Sequence, residues 1–166
     1  MLGLTALGAI HTAISLVAII TGVWAFARDA EIVSGNRLGK LYLLATVLTA
    51  ATGLMIFVHG TFRIGHWFAV LTLALVAIGT VAAKSKLFGR ASPYVQAAFY
   101  SSTMLIHMIT GLAETLTRLP PGAPLVTAAN ASIFKDIILA LVLLTLAGVA
   151  LQFRLIHKRN RAEITR

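Results

Sequence analysis

Five histidines, His11, His59, His66, His107 and His157, and five carboxylates are the residues of this 166-residue chain best equipped for chemistry, and cysteine is absent. Without a thiol, disulfides, thiolate-ligated haem, iron–sulfur clusters and Cys-based zinc sites are excluded within the chain. A metal or haem would have to use His, Met or carboxylate. His11 and His107 stand inside long apolar runs, the first and the fourth. At 1.5 Å per residue, His11 is expected roughly 12–14 Å below the outer end of its run and His107 roughly 13–15 Å below. Two imidazoles at matching depth on different helices could supply both axial nitrogens of haem b. In that reading Arg63, Arg118 and Lys135 meet the propionates as cations, and Gly8 and Gly111 let the macrocycle approach backbone. Two other readings stand beside it. Both imidazoles could simply bond to interior hydroxyls, or they could handle protons or a metal ion.

Other groups are looser. His59, His66, Glu114 and Asp136 gather near the same ends of their runs and offer the nitrogen and oxygen ligands of a divalent metal, but no tight spacing such as His-x-x-x-His joins them. Glu114 and Arg118 are spaced i,i+4, which favours a surface ion pair. The Lys135-Asp136 doublet reads as an interfacial anchor. His157 lies in a basic tail as a solvated residue. Serine and histidine are plentiful, yet no nucleophile elbow accompanies them, which argues against hydrolysis.

The elements that must position these residues are membrane helices. Hydrophobic residues make up 58% of the chain and charged ones 11%, with mean hydropathy +0.90, a surface that water would not tolerate. A bilayer core about 30 Å thick needs roughly 20 apolar residues. Five stretches meet this: Leu2 to Ala27, Leu38 to Val58, Ile64 to Ala83, Tyr94 to Leu116 and Ser132 to Phe153. Strand alternation is missing and lipid satisfies no free backbone groups, so the fold class is all-α. Ala25-Phe26-Ala27 has the small-x-small form of a signal cleavage site. No Lys or Arg precedes that run, however, and it is about twice the usual length of a signal core, so it reads as a retained helix.

Arg28, Arg37 and Lys40 mark the first loop, Lys84, Lys86 and Arg90 the third, and Arg154, Lys158, Arg159, Arg161 and Arg166 the tail. By the positive-inside rule these are cytoplasmic and the N-terminus is outside. The expected organisation is a five-helix transmembrane domain over 1–153 and a basic cytoplasmic tail over 154–166. The net charge of +9 is thereby explained by an anionic leaflet, and nucleic acid is excluded because the cations form no stripe with interleaved aromatics.

Within the helices, polar residues share faces. Gln96, Tyr100, Thr103, His107, Thr110, Gly111 and Glu114 recur at spacings of three and four in the fourth run. Gly8, His11, Thr12, Ser15 and Gly22 do so in the first, and Tyr42, Thr46, Thr49, Thr52 and Gly53 in the second. Ordinary helix packing accounts for most such Thr, Ser and Gly positions. The short loop His59 to Arg63 implies an antiparallel pair, while Leu119-Pro120-Pro121-Gly122-Ala123-Pro124 forbids helix in the fourth connection.

Asn36-Arg37-Leu38-Gly39-Lys40-Leu41-Tyr42, followed by Thr49 to Leu54, resembles the His-Arg-x-x-Gly-x-x-Tyr pattern of an uncharacterised bacterial family of small polytopic membrane proteins. The likeness covers the first third of the chain, and Asn36 stands where that family usually has histidine. It implies a bacterial inner-membrane setting and no particular activity. The leading expectation is a membrane b-type haem protein or redox subunit using His11 and His107, with a quinone or an extracytoplasmic acceptor as partner. Its rivals are a transporter of protons or divalent metal and a non-catalytic subunit that assembles with partners or copies of itself.

Overall fold

A computed structural model describes residues 5–56, 61–85, 87–127 and 131–164. The described residues form five long helices: α1 (Ala6–Asp29), α2 (Arg37–Met55), α3 (Ile64–Lys84), α4 (Ser92–Arg118) and α5 (Ala131–Ile164). A 3₁₀ turn, Gly89–Ala91, leads into α4. The helix starts follow local chemistry. Thr5 Oγ1 accepts from Gly8 N at 3.1 Å and Asn36 Oδ1 from Gly39 N at 2.8 Å, so each satisfies an amide that a helix start leaves unpaired. Pro93 opens α4, where its missing N–H costs nothing.

The helices pack α1 on α2, α2 on α3, α3 on α4 and α4 back on α1, which closes a four-helix ring. α5 stands outside that ring and packs on α4. What each helix buries is the reverse of a water-soluble protein. α1 hides Gly8, Ala18, Thr21, Gly22 and Ala25 and presents Leu16, Ile20 and Trp24 outward. Small residues let helices approach closely in lipid, where large apolar side chains gain nothing by turning inward. Gly79 shows the tightness: a Cβ there would lie 2.6 Å from the Tyr100 ring. Four helices, α1, α2, α3 and α5, are long and apolar enough to cross a membrane. α4 is long enough but is the most amphipathic of the five, because its inner face carries the polar residues described below.

Two segments gain detail beyond the sequence expectation. α5 does not stop at Phe153 but runs without a break to Ile164. No Gly or Pro intervenes after Gln152, and Arg, Lys, Leu, Ala and Glu all sustain a helix. The tail is thus a continuation of the fifth helix. The proline-rich connection is no loose strand either, since Val126 N bonds to Leu116 O at 2.9 Å and the Val126 side chain is buried over the end of α4. Residues 128–130 lie outside the described residues.

Candidate functional site

The site is built on three threonines of α2, Thr46, Thr49 and Thr52, spaced i,i+3 so that they climb the helix in a slowly rotating strip. At one end His11, from α1, bonds through Nδ1 to Thr52 Oγ1 at 3.0 Å. The Thr52 hydroxyl can also direct its one hydrogen at backbone carbonyls, Leu48 O at 2.8 Å and Thr49 O at 3.1 Å. With that hydrogen on a carbonyl, Thr52 accepts from the imidazole Nδ1–H; with it turned to the ring, Thr52 donates to Nδ1, so the contact suits either tautomer. Gly53 makes the space, because a Cβ there would come within 3.3 Å of the ring.

At the other end His107, from α4, has Nε2 3.1 Å from Thr46 Oγ1, and either partner can donate. His107 is 5% exposed and Thr46 is fully enclosed. One turn closer to the loop joining α1 and α2, Tyr42 OH meets Thr103 Oγ1 at 2.7 Å. Thr103 Oγ1 also lies 2.7 Å from Tyr100 O, and when its hydrogen goes there Tyr42 is the donor. The Tyr42 ring stands edge-on to His107 with centroids 6.2 Å apart. Beyond it Tyr100 OH pairs with Thr80 Oγ1 at 3.0 Å. The diagonal of the ring, α2 to α4, is thus bridged by polar contacts and filled by side chains.

Between the two histidine contacts lies Thr49. Its hydroxyl oxygen is buried and has no hydrogen-bond partner among the described residues. Most buried polar atoms find one, so an orphan between two imidazole contacts marks a place where a small polar species would be welcome.

The equal depth expected of His11 and His107 is not what the packing gives. Their partners Thr52 and Thr46 are six residues apart, about 9 Å along α2. The expected depth took Leu2 as the outer end, whereas α1 is described from Ala6, and Ile19 lies beside Gly111. In this arrangement a haem shared by the two would require His107 to release Thr46 and the enclosed cluster of Tyr42, Thr46 and Thr103 to open.

The remaining candidates are dispersed. His66 is buried at the start of α3, where its Nδ1 accepts from Arg63 N at 3.0 Å and its ring stacks on Phe62, so it serves as a helix cap. Glu114 and Arg118 form the i,i+4 pair at 2.6 Å on the surface. Asp136 and Lys135 are exposed near the start of α5, His157 is exposed on its last turns, and His59 lies outside the described residues. Among the described residues no three of His, Asp and Glu come together to hold a metal ion.

Other residues matter that sequence reasoning passed over. Gln152 is 6% exposed; it accepts from Ser101 Oγ at 3.0 Å and donates to Ala30 O at 2.9 Å. Glu31, also 6% exposed, pairs with Arg159. Gln96, already expected on the polar face of α4, donates to Ile32 O at 3.2 Å. Together they fasten α4 and α5 to the first loop, so that loop and the tail share one end of the bundle. A usable signal existed in Gln152, the one amide in the otherwise apolar run before Arg154.

The motif around Asn36 also gains a structural meaning. Asn36 caps α2 and donates to Asp29 Oδ2 at 2.9 Å. Gly39 lies against the first loop, since a Cβ would fall 2.0 Å from Val33 O. The likeness to the bacterial pattern is imperfect, with only Leu38 between Arg37 and Gly39 where the pattern has two residues. Searches among protein families, curated proteins and solved structures found no match to the chain.

Proposed function

We propose that this chain spans a bacterial cytoplasmic membrane five times, with its N-terminus outside, and that His11 and His107 pass protons along the threonine strip of α2. The observation that carries the reading is the orphaned Thr49 hydroxyl between them. Ordinary packing would leave it paired, whereas a relay needs a stopping place for water or a proton between two exchangeable groups. His107 with Thr46 and His11 with Thr52 can each reverse their roles as donor and acceptor, which is what an imidazole relay requires. The five-span arrangement is supported by the polar inner face of α4, which the other helices shield from lipid, and by the cluster of Lys and Arg at one end.

The test is proton flux into proteoliposomes holding the purified protein, driven by an imposed potassium potential and read with a pH-sensitive dye. Wild-type protein is expected to conduct, His107→Phe to abolish the flux and Thr49→Val to lower it while the thermal unfolding of both variants stays cooperative. Liposomes as tight as protein-free ones would overturn the reading. A Soret band that shifts on dithionite reduction, and is lost in both His11→Ala and His107→Ala, would favour electron transfer through haem b instead.

A further inference from the structure

We infer that the basic end of α5 binds an anionic glycerophospholipid of the adjoining leaflet, an inference that rests on the membrane reading but not on the proton relay. α5 has 34 residues, so it is about 51 Å long, against a hydrocarbon core of about 30 Å. Its last turns must therefore pass through the headgroup layer. There the side chains change character within a single turn. Leu151 and Leu155 are 56% and 37% exposed, and Arg154, His157 and Lys158 are exposed beside and beyond them. Leu151, Phe153, Arg154, Leu155, His157 and Lys158 border a shallow hollow of about 500 Å³ on the helix flank.

The charges there decide the occupant. Asp29, at the end of α1, pairs with Arg28 at 2.7 Å, and Glu31 of the first loop with Arg159. Arg154 and Lys158, one turn apart, make no ion pair among the described residues, which leaves them open to a counter-ion from their surroundings. In the headgroup layer that is a lipid phosphate, which the Arg154 guanidinium can meet with paired hydrogen bonds and the Lys158 ammonium with a point charge. Leu151 and Leu155 then receive the upper acyl carbons. A zwitterionic lipid carries its own ammonium next to the phosphate and would meet these two cations with repulsion, so the fit is to phosphatidylglycerol or a related anionic lipid.

The full-length protein, purified and equilibrated with equal amounts of phosphatidylglycerol and phosphatidylcholine in mixed micelles, would be analysed by native mass spectrometry. Retained phosphatidylglycerol is expected on the wild type. R154Q/K158Q is expected to lower that preference by about thirtyfold, the equivalent of two interfacial cations. Arg37→Gln, an exposed cation at the same end but away from the hollow, should keep it. Equal retention of the two lipids by wild type, an undiminished preference in R154Q/K158Q, or displacement of the lipid by excess inorganic phosphate would each overturn the inference. The altered positions are exposed, and an unchanged thermal transition of R154Q/K158Q would show that lost lipid is not lost fold.

Discussion

At the scale of single residues, the bundle distinguishes glycines that hold helices together from those that do not. Gly79→Ala would press a methyl into the Tyr100 ring, and overpacking of this kind costs about 1–3 kcal/mol. Gly148 has open space around its Cα, so Gly148→Ala should be close to neutral. Thermal unfolding of both variants in detergent separates them, and equal transitions would contradict the packing. Tyr42→Phe removes a fully buried hydroxyl from Thr103. Interhelical hydrogen bonds in membranes average about 0.6 kcal/mol and reach about 1.7, and the same measurement should find a loss in that range. The residues of this network were largely legible beforehand, because Tyr42, Thr46, Thr49 and Thr52, and Tyr100, Thr103 and His107, recur at helical spacing. Which imidazole met which hydroxyl was not legible. That depends on helix tilt and on where each helix starts, and a shift of four residues in the start of α1 moves His11 by about 6 Å relative to its neighbours.

At the scale of elements, α5 is held by few but specific contacts, and the absence of cysteine makes these easy to test. Ser101→Cys with Gln152→Cys should form a cross-link with a short bifunctional methanethiosulfonate, since a Ser–Gln hydrogen bond sets the two backbones a long side chain apart. Pairing Ser101→Cys instead with a cysteine at Leu144, on the exposed flank of α5, should give none. Gln152→Leu would remove both of its bonds and leave the Ala30 carbonyl without that donor. The expected result is loosened docking, read as faster proteolysis of the first loop with little change in the α1 to α4 contacts. All five helices were expected as apolar runs, because lipid selects for length and hydrophobicity. Among the described residues four meet that measure and α4 does not, since six polar residues and a glycine share its inner face. The length of α5 was missed because Lys and Arg signal the end of a span and say nothing about the end of a helix.

At the scale of the whole molecule, the first loop and the tail meet through Glu31 and Arg159, so both basic segments must emerge on one side of the bilayer. Single cysteines at Arg90 and at Pro121 should react with a membrane-impermeant reagent from opposite faces of intact cells, Pro121 from outside. Labelling of both from one face would refute the five-span arrangement. The closed ring of α1 to α4, with α5 leaning on it from outside, also bears on how the chain is made. Every helix of the ring precedes α5 in the chain, and no contact of the ring is made through α5. α5 then enters as a brace added to a finished scaffold. Its arrival neutralises Glu31 and fills the last bonds of Ser101 and Ala30, a checkpoint that a chain truncated before residue 131 would never pass.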